Sequence, residues 1–372
     1  MGAFEATAAA DHAAVRNVSV ACYTIPTDQP ESDGTLAWRS TTLVTAHIEA
    51  GGARGFGYTY AHPAAGLLIR DTLAPLLAGA DALDIPARRA DMERALRNIG
   101  RPGVGSMALS ALDAALWDLK AKLFGVPLAA LLGASRDAIP VYGSGGFTSY
   151  LKEELCAQLH AWAESGMRFV KMKVGSRPQA DPSRVAAARA SLPDETELFV
   201  DANGAYSRKQ ALAEAERFAA QGVSWLEEPV SSDDLEGLHL LRERAPAGMA
   251  VAAGEYGHDA RYFRRMLEAG AVDVLQADAT RCGGVSGFLE AAALCEAYGI
   301  PLSSHCAPSL HLPLCCAAGR AVHLEYFHDH ARIERMLFDG FRSPADGAMA
   351  PDRSRPGLGV ELKEQDALCY SV

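Results

Sequence analysis

Two hydrophobic rhythms divide the chain. From about residue 139 to 325 a short apolar run ending in an acid or a histidine is followed by a helical stretch, over and over. The runs are LFVDANG ending on Asp201 and Asn203, VSWLEEP on Glu227 and Glu228, MAVAAGE on Glu255, VDVLQADA on Asp278, IPLSSHC on His305, and HLEYF carrying Glu325. Their end residues lie roughly 20 to 28 positions apart, the length of one strand plus one helix. With an opening strand at 139–142 and FVKMKVG at 169–175, eight strands result. That count predicts a closed parallel barrel, whose chemistry belongs at the strand C-termini.

Residues 1–130 follow a different pattern. Strands are predicted at 16–25, 42–49 and 55–60, the last two joined as a hairpin, and the polar segment PTDQPESDG at 26–34 reads as a loop able to reach over a barrel mouth. Helices follow near 64–77, 85–99 and 106–124, the last with Leu109, Leu112, Leu116 and Leu119 at helical spacing. This block is a small α+β domain. The barrel is assigned to 131–335, and the Gly- and Pro-rich remainder, 336–372, is expected to fold back on the N-terminal block.

A chain of 372 residues, 49% hydrophobic, buries a large core and is long for one barrel, which agrees with two domains. Its formal net charge of -11 argues against nucleic acid or an anionic membrane as partner. The N-terminal stretch carries acids where a secretion signal carries positive charge, so a cytoplasmic location is expected. Eight cysteines show no CxxC or zinc spacing and read as reduced and mostly buried.

Alternation places Lys171 and Lys173 on one face of their strand and Met172 on the other. Asp201, Glu227 and Glu255 end three consecutive strands, and three converging carboxylates need a cation between them. A hard divalent ion, Mg2+, suits oxygen ligands, whereas zinc would want a thiolate or an imidazole. Glu228 should point away from Glu227. Lys173 then sits on one side of a metal-held substrate and His305 on the other, with Asp278 fixing the imidazole. Lys171 and the metal are expected to depress the Lys173 pKa and free it as a base. The matching chemistry is removal of a proton next to a carboxylate, with Mg2+ and Lys171, and Glu325 as a donor if that acid is protonated, stabilising the enediolate. A Lys or His base paired with Mg2+ is a pattern already described for the enolase superfamily. Cys306 reads as packing, and His311 as lining the mouth or facing solvent.

The motifs KMK at 171–173, DAN at 201–203, EEP at 227–229, GE at 254–255, ADATRCGG at 277–284, SSH at 303–305 and HLE at 323–325 occur in order. On these the chain resembles the mandelate racemase subgroup of the enolase superfamily over essentially its whole length. The resemblance implies a modified (β/α)7β barrel capped by an N-terminal α+β domain that the C-terminal tail completes. It implies Mg2+ ligation by Asp201, Glu227 and Glu255, Lys173 as base with Lys171 as electrostatic helper, and the His305–Asp278 dyad as second acid/base. Asn203 and Glu325 are expected at the substrate. Sister subgroups fit less well: 272–284 holds no strand-six lysine of the muconate cycloisomerase kind, and Glu255 stands where glucarate dehydratases have asparagine. The implied activity is dehydration of a sugar acid, with racemisation of a 2-hydroxy acid or cycloisomerisation of a lactone as alternatives and a Schiff-base aldolase more distant. A small-molecule carboxylate is the expected partner, and a dimer or octamer the expected assembly.

Overall fold

Eight parallel strands close on themselves: β4 (Ile139–Gly145), β5 (Phe169–Lys173), β6 (Glu197–Asp201), β7 (Val223–Glu227), β8 (Ala250–Ala253), β9 (Val274–Ala277), β10 (Leu302–Ser304) and β11 (Ala321–Phe327), the last pairing with β4. The computed structural model describes residues 13–372. The stretch 1–12, on which the secretion-signal reading rests, lies outside the described residues. A helix separates each pair of consecutive barrel strands and covers the outer face, where Val170, Met172, Leu198, Val200 and Leu226 are buried.

The inner faces form layers. Tyr142, Phe199, Trp225, Ala252 and Val274 make an apolar plug, with Phe199 stacked on Trp225 at a centroid distance of 4.9 Å. His323 stands among these rings, and burial pushes its pKa down to about 4. Above the plug the register turns polar: Lys173 is the Cα partner of Asp201, and Asp201 of Glu227. Strand pairing alone therefore brings a base candidate and two acids side by side at the C-terminal rim.

The cap begins with the antiparallel sheet β1 (Asn17–Ser32), β2 (Ala37–Ala50) and β3 (Ala53–Tyr60). Here the reading of 26–34 as a loop is corrected. After a register break between Pro26 and Glu31 the ladder resumes, with Glu31 opposite Trp38 and Ser32 opposite Ala37. The chain reverses only at Asp33, whose Oδ1 accepts the N–H groups of Thr35 (2.6 Å) and Leu36 (2.7 Å). This ribbon reaches beyond the cap's own core, so it carries polar residues while remaining a strand. Its tip lies hard against the barrel: a Cβ on Gly34 would come within 2.3 Å of the Ala202 carbonyl oxygen.

The helix Val104–Leu123 packs on β2 and β3, with Leu109, Leu112, Leu116 and Leu119 buried. Each such side chain contributes roughly 1.5–3 kcal/mol. The helix approaches so closely that side chains at Gly55 and Gly57 would strike the carbonyls of Ala115 and Ala111. The expected helix at 85–99 ends at Ala95, and the one at 64–77 contains a π-helical turn at Ile69–Leu73.

The tail touches both bodies. The strand Ala348–Met349 adds antiparallel to β4, while Glu364 pairs with Arg54 and the Val372 N–H donates to the Cys22 carbonyl.

Candidate active site

Lys171 is completely buried, which its sequence context alone would make costly. The structure answers the charge on every side. Its Nζ lies 2.5 Å from Glu227 Oε1, 2.8 Å from Glu325 Oε1 and 3.7 Å from Asp201 Oδ2, with the Tyr142 ring 5.1 Å away. Lys173, one layer nearer the mouth, forms an ion pair with Asp201. Burial lowers the Lys173 pKa and Lys171 opposes its charge, but the carboxylates of Asp201, Glu255 and Glu227 together outweigh both and hold the ammonium above its usual range. The expected depression is therefore not found in this ion-paired state.

Glu325 does not meet the condition for acting as a donor. Burial would favour its neutral form, yet Lys171 and His305 hold it well below the usual carboxylate range. Its Oε2 accepts the Cys306 N–H at 2.6 Å, so it is an ionised acceptor and not a protonated donor.

Asp201, Glu227 and Glu255 converge, each offering an oxygen within 4.8 Å of the others. Glu255 reaches this point through Gly254, whose φ of 131° and 2.2 Å approach of any added Cβ to the Gln276 carbonyl admit only glycine. Glu255 Oε2 accepts no hydrogen bond although it is buried. Burial, and then the neighbouring Asp201, push Glu227 up to about 8. Three clustered oxygen donors, one of them orphaned and one resisting ionisation, fit a hard divalent cation. Such an ion would take Asp201 over from Lys173 and oppose the charge on the amine. Glu228 is left out of the cluster, as its adjacency to Glu227 predicted, and lines a neighbouring cavity instead.

Across the mouth, the His305 Nδ1–H donates to Asp278 Oδ2 at 2.8 Å, which directs Nε2 toward Glu255 Oε2, 3.4 Å away. Burial lowers the imidazole pKa, but Glu255, Glu325 and Asp278 together hold it above its ordinary value. Asp278 is fixed in turn by the Thr280 N–H at 2.7 Å. His311 neither lines the mouth nor meets solvent. It is fully buried, its Nε2 accepting the Ala279 N–H at 2.7 Å and its Nδ1–H donating to the carbonyls of Cys306 and Ala307. It ties the β9 and β10 exits together, a role invisible in sequence because its helix, Pro308–Ala317, is apolar on all sides. The Cys306 thiol, on the cavity wall 3.3 Å from His305 Nε2, is pushed far up by burial and the nearby acids.

Asn203, Cys306 and Ala307 have positive φ, marking strained exits around the site. Asn203 lies on the cavity wall, its N–H donating to Asp201 Oδ1. The cavity of about 550 Å3 reaches from Lys173, Glu255 and His305 to Asp33, Trp38 and Tyr60 of the cap. Sequence reasoning proposed that the segment 26–34 could reach this mouth. It did not find Trp38, Tyr60, His62 or His330, whose positions follow from the ribbon's register and from the helix after β11.

The family of enolase C-terminal domain-like proteins matches residues 154–367, and that of the mandelate racemase/muconate lactonizing enzyme N-terminal domain matches 16–133. The chain belongs to the mandelate racemase/muconate lactonizing enzyme family of the enolase superfamily. It is 34% identical over 329 residues to an L-talarate/galactarate dehydratase from Salmonella typhimurium, covering 87% of this chain and 81% of that one. The structure of that enzyme liganded with Mg and L-lyxarohydroxamate superposes with a TM-score of 0.89 at 31% identity, covering 96% and 93% of the two chains. A 3,6-anhydro-alpha-L-galactonate cycloisomerase from Streptomyces coelicolor is 34% identical over 358 residues, 94% of this chain and 97% of the relative. A mandelate racemase/muconate lactonizing enzyme-like protein from Rubrobacter xylanophilus superposes with a TM-score of 0.94 at 53% identity, covering 96% and 99%.

Proposed function

We propose that this enzyme dehydrates a sugar acid by removing the proton next to its carboxylate. The observation that carries the reading is the placing of two proton-handling groups, Lys173 and the His305 of the His305–Asp278 dyad, on the wall of one cavity together with Glu255, one of three clustered carboxylates. Asp201, Glu227 and Glu255 would hold Mg2+, the ion with which the similar dehydratase structure is liganded. When bound, that ion supplies positive charge to the substrate carboxylate, where negative charge builds as the proton leaves.

The chain's own residues do the rest. Lys173, as free amine, takes the α-proton, and Lys171, locked by Glu227 and Glu325, keeps a fixed positive charge behind the reacting carboxylate. As the β-carbon–oxygen bond breaks with its electron pair on oxygen, protonated His305 gives that oxygen a proton through Nε2 and water departs. Asp278 holds the imidazole in the tautomer and charge state this requires. The enol product then becomes a 2-keto-3-deoxy acid. Asn203 is assigned to the substrate from its place on the wall.

A division of labour follows: the barrel, 131–335, carries the chemistry, while the cap, 1–130 with the tail 336–372, selects the substrate. All eight cysteines are free, which supports a reducing, cytoplasmic setting. Among the described residues no helix is long and apolar enough to cross a membrane. Family membership supports a homo-oligomer, dimer or octamer, which light scattering on the purified protein tests.

Incubation with Mg2+ in deuterated water against sugar acids and their lactones tests the reaction. Loss of one water from an acid is the expected outcome. Deuterium uptake without mass loss would replace dehydration by racemisation or epimerisation. Opening of an anhydro ring or lactone would replace it by cycloisomerisation, the activity for which the Streptomyces coelicolor relative is named.

A further inference from the structure

The cavity is uneven in charge from one end to the other. Its fixed cations, Lys173 and Arg281, both stand at the barrel end, and both are already engaged. Lys173 is paired with Asp201. Arg281 puts Nη1 3.3 Å from Glu255 Oε1 and Nε 3.6 Å from Asp278 Oδ2, with its guanidinium 5.2 Å from the Tyr256 ring. Arg54 is spent on Glu49 and Glu364, and Arg39 is not on the cavity wall.

Toward the cap the wall becomes neutral and hydroxyl-rich, through Ser40, Thr41, Thr42 and Tyr60. Two histidines stand there, each with Nδ1 turned to a backbone N–H: His62 Nδ1 accepts from Ala64 at 3.1 Å and His330 Nδ1 from Ala307 at 3.3 Å, an arrangement that leaves Nε2–H as the donor toward the cavity. His330 is stacked on Tyr60 at 3.5 Å, and burial lowers its pKa to about 3. Among the described residues of the cap's share of the wall, the one formal charge is the carboxylate of Asp33 at the ribbon's turn.

A substrate with carboxylates at both ends would bring its second charge to a wall that offers no free cation and one acid. An unpaired charge taken out of water is strongly disfavoured, whereas a hydroxyl finds the Ser40 hydroxyl, the remaining lone pairs of Thr41 and Thr42, which are themselves bonded to Asp329 and Thr24, and the histidine Nε2–H groups. We propose that the substrate carries a single carboxylate, held at the barrel end, and that the rest of it is an uncharged polyol lying along the β1–β2 ribbon. The class is that of the aldonic acids, as distinct from the aldaric acids. The inference rests on the proposed chemistry only for which end of the cavity receives the reacting carboxylate.

The test is a comparison of matched pairs with the Mg2+-loaded full chain: galactonate with galactarate, gluconate with glucarate, and their epimers. The expected result is kcat/KM at least 100-fold higher for the aldonate of the pair that reacts best. Asp33→Asn, which keeps the oxygen that accepts from Thr35 and Leu36, should narrow that ratio about tenfold, and Asp33→Lys should narrow it further. An aldarate used as well as its aldonate overturns the proposal, as does a ratio indifferent to both substitutions. Where no pair is turned over, calorimetric binding decides: an aldonate at least tenfold tighter supports the proposal, and equal, reversed or absent binding of both overturns it. Selective aldonate binding without α-deuterium exchange would sink the dehydratase reading while leaving the single-carboxylate inference standing.

Discussion

Lys173 and Asp201 face each other as register partners on neighbouring strands, and their side chains meet in an ion pair at the floor of the cavity. The amine assigned as base is thus held protonated by a carboxylate assigned to the metal. Which of the two partners claims Asp201 decides whether Lys173 can accept a proton.

That competition is measurable without substrate. Mg2+ should raise the thermal midpoint of the wild-type protein, since a ligand at 100 times its dissociation constant adds about 2.7 kcal/mol. Asp201→Asn should abolish the rise, and so should Glu227→Gln. Glu228→Gln, outside the cluster, should keep it. Scanning fluorimetry across a Mg2+ titration reads all three, and an unchanged Mg2+ response in Asp201→Asn would remove the ligand assignment.

The two proton-handling groups should separate kinetically. Lys173→Ala should lose both water elimination and exchange of the α-hydrogen with deuterated solvent. His305→Asn should lose elimination by about 10²–10⁴-fold while still exchanging the α-hydrogen, because the loss falls on the general acid and not on the base. Exchange followed by NMR distinguishes them, and equal loss of exchange in both variants would contradict the division of roles.

The barrel was legible because its residues obey a simple rule. Alternation along FVKMK put both lysines inside, and the spacing of strand-end acids brought Asp201, Glu227 and Glu255 together, as the register then shows. Two features escaped. The charge states of Lys173 and Glu325 depend on pairs formed across strands, Lys173 with Asp201 and Glu325 with Lys171, and no single strand reveals them. The ribbon at 26–32 escaped because a strand that buries little on either face has no hydrophobic alternation to read. Only its cross-strand pairing, Glu31 with Trp38, gives it away.

Glu31 makes that ribbon pH-sensitive. It is buried beneath Trp38, whose Nε1–H donates to it at 2.7 Å, and burial with the nearby Asp329 pushes its pKa from 4.5 up to about 8. The folded protein therefore keeps this proton to higher pH than the unfolded chain. Between those two values the folded state binds more protons, so this group makes stability fall as pH rises through the window. Glu31→Gln retains an acceptor for Trp38 and removes the ionisation, and should be more stable than wild type near pH 9 by about 4 kcal/mol, with little difference near pH 5. Urea melts at the two pH values test the sign, and a variant equally destabilised at both would refute it.

Gly254 offers the sharpest link between backbone and site. Its φ of 131° is one that side-chain-bearing residues rarely adopt, and a Cβ there would lie 2.2 Å from a backbone oxygen that cannot rotate away. Gly254→Ala must shift either its own backbone or that of Gln276 at the end of β9. Both movements disturb the site, since Glu255 follows Gly254 and Asp278 lies two residues beyond Gln276. Strain of this kind costs about 1–3 kcal/mol, enough to lower the thermal midpoint without unfolding the barrel. The expected signature is a folded protein with weakened Mg2+ stabilisation, in contrast to Gly52→Ala in the cap hairpin, where φ is also positive but nothing lies within 4 Å. That control should lose stability alone and keep its Mg2+ response. If both variants respond to Mg2+ like wild type, the position of Glu255 does not depend on the glycine before it.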